Sequence, residues 1–230
     1  MIAGLAKSLL MSILVVGVPV LSHLTARRIE LRLIPRIDLY VSAILSQWLL
    51  ASMAAAVVWL AGPGFRAIGF QRTPASDLAA WAAGLAAVSL AALGLVIVLE
   101  RLGLWPEESD LVQILLPATR VEKIMAVGVV APTAAICEEL LYRGFLFSQL
   151  SQWLDSPPWA LVVSAAAFGL AHAYQGWHGM VRTALLGALL TIPVIRLGSL
   201  YPSMAAHFLI DAVALAWLGP RFLKQDQRTG

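Results

Sequence analysis

Apolar residues in this chain come in long blocks separated by short polar breaks, with none of the ten-residue alternating segments that a barrel strand requires. A helix crosses a bilayer with about 20 mostly apolar residues. The blocks at 2–24, 39–61 and 78–98 meet that rule. A polar connector at 100–120 follows, with Trp105-Pro106-Glu107-Glu108-Ser109-Asp110 in its middle. The block at 121–150 predicts a fourth span, 159–173 and 181–197 a shorter fifth and sixth, and 200–218 a seventh ahead of a polar tail. Backbone groups in lipid must be bonded within their own segment, which favours helices. The expectation is an all-α integral membrane protein, with about seven transmembrane helices in one bundle. Its parts are three N-terminal helices and the connector over 1–120, a core over 121–218, and a polar tail over 219–230.

Three of the apolar blocks carry charge where it is hardest to solvate. Glu138, Glu139 and Arg143 interrupt one, His172 ends another, and His207 and Asp211 lie inside a third. A charged side chain at the middle of a membrane helix costs roughly 2.5–3.5 kcal/mol on insertion scales. Six such groups in three consecutive motifs point to a polar site built inside the membrane.

Helical spacing gives these residues different tasks. Glu139 and Arg143 stand at i and i+4 and can pair. Glu138 is rotated by about 100° from Glu139 and is left as the working carboxylate. Ser164, Phe168 and His172 form an i, i+4, i+8 stripe, with Phe168 packing on the face that presents His172. His207 and Asp211 share a face, where they can bind a metal or where Asp211 can orient the imidazole. Taken singly, each motif also has a purely structural reading: an ion-pair cluster, a satisfied interfacial histidine, a local helix pair.

Spacing between the motifs favours a shared site. Glu138 and His172 lie equally far from Asp155, and Asp155-Ser156-Pro157-Pro158 is a strong turn signal. A helical hairpin turning there puts both residues at one depth, about 25 Å from the turn. His207 fits this ruler less well, roughly 10 Å off level when counted from a turn near Ser199.

Composition places the chain firmly in the membrane class. Of its 230 residues 60% are hydrophobic and 13% charged, with mean hydropathy +0.83. Soluble domains run at about 45–50% apolar and about 25% charged. The net charge of +3 does not indicate nucleic acid, because the basic residues sit mostly between apolar blocks, where they set orientation. Counting them puts Arg27, Arg28, Arg32, Arg36 and the basic tail on one side, with a cytoplasmic C-terminus. Cys137 is the only cysteine, which rules out an intrachain disulfide. Beside Glu138 it could serve as a nucleophile, but a small apolar filler is the expected role. The first block lacks a small-x-small cleavage site before Arg27 and reads as an uncleaved span. His178 and His23 read as loop or interfacial histidines, and Tyr142 as packing with its hydroxyl bonded to a neighbour.

The series Glu138-Glu139…Arg143, Phe168…His172 and His207…Asp211 resembles the three-motif pattern of the CPBP intramembrane proteases, the group that contains the type II CAAX prenyl endopeptidases. The resemblance covers about 121–218. It implies that Glu138 activates a water for attack on a peptide carbonyl, with His172 as its partner. His207 and Asp211 would then stabilise the oxyanion or hold a metal. Two chemistries stay open: zinc at His172, His207 and Asp211, or a metal-free glutamate mechanism. An ionised aspartate accepts but cannot donate to an oxyanion, so Asp211 must be protonated, orient His207 or ligate metal. The implied surroundings are a multi-pass location, expected in the plasma membrane, with membrane lipid as a partner and a membrane-associated or lipidated peptide as substrate. The resemblance also implies a site opening to the cytosol, opposite to the charge count. Two other classes compete: a non-catalytic immunity or scaffold protein of the same fold, and a proton-coupled transporter. The intact six-residue set argues against the former, and the absence of an evident internal repeat against the latter.

Overall fold

The computed structural model describes residues 2–27, 33–62, 64–106 and 109–218. The expected tail at 219–230 lies outside them, as do Arg28, Arg32, Glu107 and Glu108. Every regular element among the described residues is helical. Five helices are long and apolar enough to cross a membrane: α1 (Ile2–Ala26), α2 (Arg36–Ala61), α3 (Ala75–Arg101), α5 (Arg120–Leu154) and α7 (Ala173–Leu197). Between and after them come the short α4 (Asp110–Leu115), α6 (Pro157–Ala171) and α8 (Tyr201–Val213), the last prolonged by a π-helical turn, Ala214–Leu218. The chain is thus a multi-pass membrane protein with five candidate spans rather than a verified seven. The expected fifth span, α6, has 15 residues, about 22 Å of helix against about 30 Å of hydrocarbon. It stops at His172, inside the bundle, and the chain turns back there through one 3₁₀ turn, Ala173–Gln175.

Local chemistry explains the ends. Thr119 and Glu122 form a reciprocal capping box that starts α5. Asp155, in the left-handed region at φ 47°, ends it. Prolines at the first positions of α6 restart the chain where an unpaired N–H would be wasted. The surface is apolar, unlike that of a soluble domain, and charged side chains are buried within an apolar core. Leu45, Leu49, Trp59 and Leu95 are exposed, whereas Glu139 is 0% and Arg143 1% accessible.

Helix α5 is the central post. Helices α2 and α8 pack on its N-terminal half, and α6 returns along its C-terminal half. Helix α6 packs most extensively on α7, and α3 on α8. Gly169, in the turn before His172, makes the α6–α7 approach possible: a Cβ there would lie 2.5 Å from the Met180 carbonyl oxygen and 2.7 Å from the Ala184 Cβ. Since the first obstacle is backbone, the helices themselves would have to part. Gly169→Ala is therefore expected to destabilise the fold by about 1–3 kcal/mol, read as a lower thermal midpoint and a reduced folded yield in detergent.

The turn after α7 removes the depth mismatch that residue counting gives for His207. Instead of lying level with Asp155, residues 198–200 dip into the bundle. The Leu200 amide donates to the Gly69 carbonyl at 2.8 Å, and the Ser199 hydroxyl donates to the Gln71 carbonyl at 2.9 Å. Leu200 is fully buried, and its Cδ1 would lie 3.1 Å from a Cβ added at Gly144. The turn therefore starts level with Gly144. Seven residues along α8 and five back along α5 then bring His207 and Glu139 to similar heights.

Candidate active site

The six ionisable motif residues converge, and α5 supplies the first three. From Glu139 to Leu146 this helix is π-helical, so successive residues turn through less than the about 100° of an α-helix. Glu138 and Glu139 both keep α-helical dihedrals, so they are rotated from each other as α-helical counting predicts, and they address one ring from two sides, Glu139 at Nδ1 and Glu138 at Nε2. Glu139 Oε1 accepts from His207 Nδ1 at 2.8 Å, and Glu138 Oε2 lies 3.9 Å from His207 Nε2.

Glu139 also meets Arg143 as the spacing predicts, with Nη1 at 3.1 Å from Oε1. The guanidinium lies 3.9 Å above the centre of the Phe168 ring, and its Nε donates to the Gly187 carbonyl at 3.4 Å. This buried cation is thus held by one carboxylate, one aromatic face and one carbonyl. Phe168 packs edge-on against His172, with centroids 4.7 Å apart. Its carbonyl accepts from His172 Nδ1 at 2.8 Å. A carbonyl cannot donate, so a proton sits on Nδ1, which leaves Nε2 as the nitrogen facing Glu138. That Nε2 is 3.9 Å from Glu138 Oε2, the same distance as the His207 Nε2.

Residues 120–213 match the family described as type II CAAX prenyl endopeptidase Rce1-like. Over this segment the chain is similar to an Rce1-like domain. It contains all six motif residues. No curated protein and no solved structure matches the chain. The Rce1-like family is generally a protease family, which supports a peptidase.

Asp211 occupies the edge of this site. Its Oδ2 is 3.5 Å from His207 Nε2 and its side chain is 31% accessible. It also lines a cavity of about 430 Å³ between α3, α7 and α8, whose other walls include Val88, Leu93, Leu186, Leu189 and Ile210. Two ligands at about 2.0–2.1 Å on a tetrahedral ion stand about 3.4 Å apart; His207 Nε2 and Asp211 Oδ2, at 3.5 Å, have that spacing, whereas Glu138 Oε2 stands wider, at 3.9 Å from both histidines. Among the described residues, no group of three or more His, Cys, Asp and Glu side chains is placed to hold a metal.

Three smaller expectations meet the structure differently. Cys137 is fully buried in the main apolar cluster, as a filler would be. Tyr142 packs edge-on against Phe168 with centroids 5.0 Å apart, but among the described residues its buried hydroxyl has no hydrogen-bond partner, contrary to expectation. The Ser164 hydroxyl in this layer donates to the Tyr142 backbone carbonyl instead, at 2.8 Å. His178 lies within α7, not in a loop, against Trp177 with ring centroids 4.2 Å apart. A residue that motif reading missed is Gln47 on α2, whose amide donates to Glu138 Oε1 at 2.8 Å. Only its position, as a polar residue in the middle of an apolar span, marked it in the sequence.

Proposed function

We propose that the protein is an intramembrane endopeptidase of the CAAX-processing kind, hydrolysing a peptide bond near the membrane interface by metal-free glutamate chemistry. The observation that carries this reading is the pair of 3.9 Å gaps between Glu138 Oε2 and the Nε2 atoms of His172 and His207. Each is too long for a direct hydrogen bond, and a water at about 2.8 Å from both sides of a gap bridges it. Glu138 takes a proton from that water as its oxygen attacks the peptide carbonyl carbon. The C–N bond then breaks, and Glu138 returns the proton to the leaving amine. His172, protonated on Nδ1, steers the water through the Nε2 lone pair. His207 is held at Nδ1 by Glu139, and in its doubly protonated form Nε2–H donates to the oxyanion. Asp211, 3.5 Å from that nitrogen, accepts from the same N–H in the resting site and so orients the ring, and the N–H passes to the oxyanion as its charge develops. The apolar cavity alongside offers the hydrophobic part of a lipidated peptide a place next to the reacting bond.

The test is hydrolysis of farnesylated and geranylgeranylated C-terminal peptides by purified protein in lipid nanodiscs, beside a membrane-proteome comparison that reads new C-termini. Appearance of a shortened peptide is expected, unchanged by a zinc chelator. Asp211→Asn is expected to keep turnover within about tenfold, because an asparagine carbonyl still accepts from the ring. No cleavage in either assay overturns the peptidase reading. Reversible loss of turnover on chelation, with about one zinc per protein, overturns its metal-free form.

A further inference from the structure

The inward face of α2 is almost wholly apolar. Tyr40, Ala51, Ala54 and Val58 are buried on it, at spacings that keep them within one stripe. Gln47 lies on the same stripe, seven residues after Tyr40 and four before Ala51. A primary amide in the centre of a membrane helix is costly unless it is bonded. Its partner here is the side chain on which the proposed chemistry depends, Glu138.

We propose that Gln47 is a positioning residue that fixes the Glu138 carboxylate for water activation. The assignment of the donor does not depend on which way the amide is drawn, because an ionised carboxylate only accepts. The final torsion of a glutamate is soft and broadly populated. With no second partner, Glu138 would present either oxygen to the histidines at a range of angles. The 2.8 Å bond from Gln47 Nε2 engages Oε1 and leaves Oε2 as the oxygen set 3.9 Å from both Nε2 atoms. The donor comes from outside the matched segment at 120–213, so α2 completes the site of that segment as well as supporting it. Earlier in α2, Arg36 Nε and Tyr40 Oη donate to the Ile114 and Leu115 carbonyls at 2.6 and 2.7 Å. Those bonds tie the N-terminal end of α2 to α4 and fix the height at which Gln47 arrives.

The inference rests on the peptidase reading, and its test separates the two. Gln47→Met keeps length and apolar fit but removes the donor; Gln47→Asn keeps the donor but falls short of Glu138. Infrared spectra of each protein, with the matching Glu138→Gln spectrum subtracted, isolate the Glu138 carboxylate band without any substrate. The band is expected to shift in both variants. On a prenylated peptide, kcat is expected to fall about 10- to 100-fold, as removal of a hydrogen bond to a charged group does, with KM within about twofold. Thermal midpoints should stay within a few degrees, and where Gln47→Met does not fold, Gln47→Asn carries the comparison. A band unmoved in the folded variants overturns the proposal, and so does a shifted band with kcat intact. A shift in protein that cleaves no peptide at all supports the Gln47–Glu138 link while overturning the peptidase reading.

Discussion

Glu138→Gln is expected to lower turnover by about 10²- to 10⁴-fold, the usual share of a general base, while folding and membrane insertion are retained. The substitution is nearly isosteric, and the amide oxygen it introduces can still accept from Gln47, so the contact between α2 and α5 at 2.8 Å survives. What disappears is the acceptor that takes the water proton between Glu138 and the two imidazoles, 3.9 Å from each. KM should change little, because the carboxylate acts on water and not on the ground-state peptide. Parallel measurement of folded yield, thermal midpoint and peptide cleavage checks this. Full turnover in a folded variant would remove Glu138 from the mechanism.

Glu139→Gln is expected to act first on the fold. It leaves the Arg143 guanidinium, 1% accessible, without its carboxylate. An uncompensated buried charge costs about 3–5 kcal/mol, and neither the Phe168 face nor the long bond to the Gly187 carbonyl replaces an ion pair. Folded yield and thermal midpoint should therefore fall sharply. The double variant Glu139→Gln/Arg143→Met is expected to regain most of the lost stability, since removing both charges is often near neutral. Activity should stay low in it, because the ionised partner that holds His207 Nδ1 at 2.8 Å is still gone. Stability and turnover thus separate at one residue. If the double variant recovers both together, the role of Glu139 in holding His207 is wrong.

The membrane character and the motif residues were legible because both are written in local composition. Apolar blocks of sufficient length can only be helices in lipid, and charge inside such blocks stands out by its cost. The Glu139–Arg143 pair and the Phe168–His172 packing were readable for the same reason: i, i+4 neighbours meet whatever the rest of the chain does. Asp155-Ser156-Pro157-Pro158 marked a turn that the left-handed Asp155 makes.

The remainder depends on contacts between segments far apart in sequence, which no local pattern encodes. The placement of α8 sets the His207 ring between the two adjacent glutamates of α5, one at each ring nitrogen, and helical counting along α5 names neither that ring nor its height. The dip of residues 198–200 against Gly69 and Gly144 raises His207 into reach, whereas a turn at the bundle's edge would have left it short. Gln47 finds Glu138 across 91 positions, and a single polar residue in a span gives no hint of which carboxylate it will meet. Sequence by itself determined that a charged site lies inside a helical membrane protein, since lipid penalises every alternative. Which atoms face one another across a water-sized gap was decided only by tertiary packing, because a few ångströms of helix depth and rotation are fixed by whole interfaces.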